Sequence, residues 1–250
     1  MQANPINQEH NSIQWLRLLI SMALIFALFH WTAIHLGSDR GQFGVIIGLI
    51  IVAAVIFAEK FLFGKSFKES VQEIGLTRPN KIGLLAVTAI CLLMFLAIFI
   101  FALMTNSSFS FYPNWYLLIP GLFFQAGIAE ETLFRGYLFA HIRQKYSFWK
   151  ATFLASFPFI LVHLILLFSL PLPIAIASIF LSVIISFPLA RLFELGGKTI
   201  WAPAILHFIV QGTVKVLVAS GESAESFPML WIAACAVIPL LVFSVPNNRK

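Results

Sequence analysis

Apolar residues gather into eight long runs, at approximately 15–36, 42–63, 82–104, 115–139, 151–170, 172–190, 200–219 and 228–245. Each is close to the roughly 20 residues an α-helix needs to cross a hydrocarbon core of about 30 Å. The pattern predicts an all-α polytopic membrane protein with about eight transmembrane helices, in one integral membrane domain over residues 1–250. The fifth and sixth runs are divided at Leu170-Pro171-Leu172-Pro173, where prolines favour a tight turn over a continuous helix. One long kinked helix is the competing reading and would change the count. The first run is too long for the apolar region of a signal peptide and long enough to span. No internal repeat is evident, which weakens readings built on inverted-repeat transporters.

Polar positions between the runs set the orientation. Arg17, Lys60, Lys65, Lys68, Arg78, Lys81, Arg143, Lys145, Lys150, Arg191, Lys198, Arg249 and Lys250 fall on one side of an eight-span chain. Arg40 alone falls on the other, and Arg135 and Lys215 lie within spans. This bias predicts that both termini are cytoplasmic, N-in and C-in. Between the second and third runs, Phe67–Ile74 reads as a short amphipathic helix, either on the membrane surface or simply connecting.

Composition agrees with this class. The chain is 60% hydrophobic and 10% charged, against about 25% charged residues in soluble domains. Its net charge of +6 is accounted for by membrane orientation, so nucleic acid is not expected as a partner. Cys91 and Cys235 both sit in apolar runs and read as core residues rather than a disulfide or thiol metal site.

Against this background one stretch stands out, Gly127-Ile-Ala-Glu130-Glu131-Thr-Leu-Phe-Arg135-Gly136. Ionisable residues at membrane depth are costly and mark functional sites. Neighbouring glutamates cannot face the same way on a helix, whereas Glu131 and Arg135 are four residues apart on one face. Glu131 paired with Arg135 would leave Glu130 facing a cavity, or the two glutamates exchange these roles. His163 lies in the fifth run and His207 in the seventh, with Gln211 one turn beyond His207. At 1.5 Å per residue, His207, Glu130 and His163 lie about 10, 15 and 18 Å from the cytoplasmic ends of their spans. Three helices thus bring a carboxylate and two imidazoles to comparable depth. His30, His35 and His141 do not share that position.

Two hydrolytic mechanisms use such a set. In one, Glu130 and His163 activate water as general bases while His207 and Gln211 donate hydrogen bonds to an oxyanion. In the other, Glu130, His163 and His207 bind Zn²⁺, which acidifies its bound water. Both cleave a peptide bond within or at the membrane. A proton-coupled transporter is a further reading, because Glu and His also build proton relays.

Glu130-Glu131-x-x-x-Arg135, Phe159-x-x-x-His163 and His207-x-x-x-Gln211, in this order, resemble the motifs of the CPBP intramembrane proteases. That family includes the CAAX prenyl endopeptidases of the Ras-converting type and the bacterial Abi proteins. Phe134-Arg135-Gly136-Tyr137-Leu138 and Lys198-Thr-Ile-Trp-Ala-Pro-Ala-Ile-Leu-His207 extend the likeness, which covers roughly residues 115–211 as a catalytic core. The resemblance implies an eight-helix, glutamate-dependent endopeptidase in a bacterial cell membrane, its site open to the cytoplasm. Its partners would be the lipid bilayer and a membrane-embedded or lipidated peptide substrate. It needs no cofactor in the first mechanism and zinc in the second. Arg135 would orient the glutamates. One departure is Gln211, where the family pattern has asparagine. The family also holds members associated with bacteriocin immunity, so a non-catalytic peptide-binding membrane protein is the alternative.

Overall fold

A computed structural model describes residues 5–36, 41–168 and 170–246. Arg40, Arg249 and Lys250, used above for orientation, lie outside the described residues. The chain runs through α1 (Pro5–His35), α2 (Gly44–Phe63), α3 (Phe67–Glu73) and α4 (Lys81–Thr105), then a strand β1 (Ser108–Phe111). Next come α5 (Trp115–Arg143), α6 (Phe148–His163), α7 (Leu172–Leu195) and α8 (Trp201–Val216). Strand β2 (Leu217–Ser220) and α9 (Ala224–Ser244) complete it.

Among the described residues six helices, α1, α2, α4, α5, α7 and α9, are long and apolar enough to cross a bilayer. Their outward faces carry large apolar side chains such as Leu85, Leu103, Phe57 and Phe180, each at least 65% exposed. A soluble monomer rarely exposes so much contiguous apolar surface. The molecule is an integral, multi-pass membrane protein. The two remaining expected spans correspond to α6 and α8, each of 16 residues. The fifth and sixth runs are separate helices: α6 gives way to a 3₁₀ stretch, Leu164–Phe168, and α7 starts beside Pro171.

The strand pair was not expected. β1 and β2 are antiparallel, with Ser108 opposite Ser220 and Phe111 opposite Leu217. Ser-Phe alternation over four residues, in the connection between the third and fourth runs, is too short a signal to read as a strand. The pair ties the end of α4 to the end of α8, and the Tyr112 amide donates to the Val216 carbonyl.

At the opposite, basic end, the connection between α2 and α4 works as a strap. Ser66 caps α3: its hydroxyl accepts from the Glu69 amide while the Glu69 carboxylate accepts from the Ser66 amide. Those bonds hold the Glu69 carboxyl below its ordinary pKa. The following turn reaches two of the three helices that carry the motifs, α5 and α8. The Ile200 amide donates to the Gly75 carbonyl at 3.1 Å, and the Trp201 indole N–H donates to the Thr77 carbonyl at 2.7 Å. At Gly136 an added Cβ would lie 2.2 Å from the Ile74 carbonyl oxygen, so only glycine lets α5 meet the strap. The Gly136 and Trp201 of the motif-like stretches therefore serve this junction. Close approach also explains Gly44, where a Cβ would stand 2.0 Å from the Gly121 carbonyl oxygen. Small residues allow membrane helices to cross this tightly.

Candidate active site

The glutamates lie between two π-helical segments of α5, Phe123–Ala129 and Thr132–Phe139. Such wide turns are rare and are found mostly at functional sites. Each changes which way the residues after it point. The periodicity of an ordinary helix does not announce them, so the sequence gives no warning of either.

From this platform Glu131 points into the protein and is fully buried. Its Oε1 accepts from the Arg135 Nη1 at 2.9 Å, the expected i,i+4 pair, and from the His207 Nδ1 at 2.6 Å. Arg135 is itself 4% exposed. Its Nη2 donates to the Ser186 hydroxyl at 3.3 Å, and Ser186 in turn donates to the Ser182 carbonyl. Glu130 faces elsewhere. It is 14% exposed, and its Oε2 stands 3.7 Å from the His207 Nε2, beyond hydrogen-bond length. His207 thus lies between the two glutamates, one ring nitrogen toward each.

The cluster holds two carboxyl groups, a guanidinium and an imidazole, a set whose formal charges can balance. A buried cluster needs such a balance, because an unpaired charge in a low-dielectric interior is expensive. Glu131 Oε2 and the neighbouring Thr132 hydroxyl are nevertheless buried without hydrogen-bond partners among the described residues.

His163 joins less directly. Its Nδ1 is 2.8 Å from the Phe159 carbonyl. A carbonyl oxygen only accepts, so Nδ1 carries the proton and in the neutral ring Nε2 is left with its lone pair. No direct hydrogen bond to Glu130 occurs among the described residues. The link is Phe159: its ring centroid is 4.5 Å from that of His163, 5.8 Å from that of His207 and 5.2 Å from the Arg135 guanidinium carbon. Gln211 is half-buried on α8, one turn past His207, with no side-chain hydrogen bond among the described residues.

The structure therefore unites Glu130, Glu131, Arg135 and His207, sets His163 at the edge through Phe159, and leaves Gln211 unengaged. Glu130, His163 and His207 do not form a metal-ligand group, and no cluster of three or more His, Cys, Asp or Glu suited to a metal occurs among the described residues. Ser186 and Phe159 were not assigned roles from the sequence. Two serines one turn apart in apolar α7 were the available signal for the first. Phe159 had appeared only as the start of a spacing.

A second buried carboxyl–imidazole pair was missed altogether. Glu59 in α2 is 1% exposed, and His141 Nε2 lies 3.0 Å from its Oε1. The His141 ring stacks on Phe63 at 4.4 Å. It joins the basic ends of α2 and α5 and stands apart from the motif residues.

Two adjacent glutamates, an arginine and a histidine buried together in a multi-pass helical membrane protein are groups that hydrolysis within a membrane could use. Comparison with known families narrows the reading further. Residues 90–213, about half of the chain and all of its motifs, match the family model described as type II CAAX prenyl endopeptidase Rce1-like, so this part of the chain belongs to the Rce1-like family. Among curated proteins no match was found.

Proposed function

We propose that the protein is an intramembrane endopeptidase that hydrolyses a peptide bond of a lipidated or membrane-associated substrate with a glutamate-activated water. The observation that carries this reading is the unequal engagement of the glutamates. Glu131 is committed to Arg135 and His207, whereas the Glu130 side chain makes no hydrogen bond among the described residues and keeps partial access. Family membership supports the hydrolase class.

In this mechanism Glu130 takes a proton from water, with His163 Nε2 as a second acceptor. The oxygen attacks the scissile carbonyl. His207, held by Glu131 at Nδ1, offers Nε2–H to the developing oxyanion, and the Gln211 amide adds a second donor. Glu130 then passes its proton to the leaving nitrogen as the C–N bond breaks. Such proton transfer contributes about 10²–10⁴-fold, and each oxyanion donor about 10²–10³-fold. Arg135 acts through Glu131 by fixing its carboxylate. No step is routed through a metal, because the candidate ligands are not gathered as one.

The same proposal includes eight crossings with both termini and the basic end in the cytoplasm. An α8 of 16 residues rises about 24 Å, and β2 adds about 13 Å of extended chain. The 3₁₀ stretch lengthens α6 similarly. A bacterial cell membrane is the proposed location.

Purified protein in nanodiscs should cleave a prenylated reporter peptide, retain that activity after chelator treatment, and lose it in Glu130→Ala. Equal cleavage by wild type and variant would overturn the proposal. Specific binding without any cleavage would favour the peptide-binding alternative.

A further inference from the structure

A cavity of about 660 Å³ opens at the basic end of the bundle. Three elements wall it: the strap (Glu73, Thr77), the end of α5 (Phe139, Arg143) and the turn between α7 and α8 (Glu194, Lys198). These are the elements that hold the two site helices together. Phe139 also lines a smaller cavity that includes Arg135 and Ser186.

Four charged residues line the vestibule, Glu73, Arg143, Glu194 and Lys198, and the first three are committed to ion pairs. Glu73 is paired with Lys65 at 3.0 Å, and Glu194 with the Arg143 Nε at 2.7 Å. Lys198 is exposed and has no side-chain partner among the described residues. Lys198 is thus the lining charge without an ion-pair partner among the described residues. Lys198 also occupies the left-handed backbone region, at φ 60°. Glycine takes that conformation freely, whereas a residue with a Cβ does so at a cost. Two glycines precede it, yet the strained position holds a lysine. Backbone strain kept at a cavity wall is a recognised pointer to function.

We infer that the vestibule, through Lys198, is a subsite for an acidic segment of the substrate polypeptide flanking the cleaved bond. Phe139 lies nine residues beyond Glu130, at most about 13 Å along the axis, since π-helical turns rise less per residue than α-helical ones. That is no more than about four residues of extended peptide. A carboxylate four or so residues from the bond at Glu130 would therefore reach the vestibule, while the lipidated part stays among the helices. This inference rests on the protease reading for the identity of its ligand.

The test uses three lipidated, fluorescent reporter peptides that differ only in a flanking pair of residues, Glu-Glu, Ser-Ser or Lys-Lys. Affinity is measured on the full chain in nanodiscs, in a Glu130→Gln background so that no peptide is consumed. The Glu-Glu peptide should bind at least five-fold tighter than Ser-Ser, with Lys-Lys weakest. Adding Lys198→Gly should remove that order. Because glycine relieves the strained backbone, this variant should melt no lower than its parent, so a lost preference is not a folding defect. Equal affinities for all three peptides, or an acidic preference that survives Lys198→Gly, would overturn the subsite. Binding with the predicted order but no cleavage by the unmutated protein would leave the subsite standing and overturn the protease reading. Cleavage without charge preference would do the reverse.

Discussion

Arg135→Ala is the sharpest structural perturbation of the site. Arg135 and Glu131 are 4% and 0% exposed, and the Nη1–Oε1 distance is 2.9 Å. Removing the guanidinium leaves a carboxylate that water cannot reach, with His207 as its one remaining bonded partner. Breaking a buried pair on one side costs about 3–5 kcal/mol. Loss of the stacking on Phe159 adds about 0.5–1 kcal/mol. At roughly 2–4 °C per kcal/mol for chains of this size, the melting temperature should fall by about 7–24 °C. A compensating variant separates charge from volume. Arg135→Met with Glu131→Leu removes both charges and fills the space, so most of the loss should return. What stays lost is the partner of His207 Nδ1, about 1–3 kcal/mol. The assay is thermal unfolding of purified protein in nanodiscs, with the single and double variants beside wild type. A single variant melting within about 1 °C of wild type would mean that this pair is not buried as described, and the reasoning would fail.

Three further outcomes follow from the same geometry. Gly136→Ala drives a Cβ into the backbone of Ile74, so the strap should lift from α5 and trypsin should cut at Lys68 and Lys81 several-fold faster; an unchanged digestion rate would contradict the junction. His141→Ala should cost about 3 kcal/mol by stranding Glu59, whereas Glu59→Leu with His141→Phe should melt at or above wild type. A double variant as unstable as the single one would refute that accounting. Gln211→Asn should raise kcat on a reporter roughly 10-fold, within the ~10²-fold that a 1 Å misplacement costs; a fall would show that the longer side chain is fitted to its surroundings.

Much of this architecture is legible in the sequence, for a physical reason. Lipid demands long apolar helices, and any charge within them must be explained, so Glu130, Glu131 and Arg135 declare themselves. The Glu131–Arg135 pair also follows from spacing alone, because i,i+4 neighbours meet even where the turns around them are widened. What the sequence leaves open depends on tertiary contact. It does not say which ring nitrogen of His207 faces which glutamate, because that is fixed by how α8 packs on α5. It hides Glu59 beside Lys60, where a carboxylate at the end of an apolar run reads as interfacial until His141 is seen to cover it. The strap is equally opaque, since its bonds run from backbone carbonyls that carry no side-chain signature. Likewise the length of α8 is set by where β2 takes over, and hydropathy continues smoothly across that junction.

In the proposed mechanism the glutamates divide the work: Glu130 performs proton transfer and Glu131 holds the site together. Single-turnover cleavage of a prenylated reporter, measured with melting temperature on Glu130→Gln and Glu131→Gln, tests it most directly. Glu130→Gln should lose at least about 10²-fold in the chemical step and melt within about 2 °C of wild type. Glu131→Gln should melt clearly lower, because the Arg135 charge loses its counterion, and should retain more of the chemical step than Glu130→Gln. The reverse pattern, with Glu131→Gln inert but stable and Glu130→Gln active but unstable, would contradict the account.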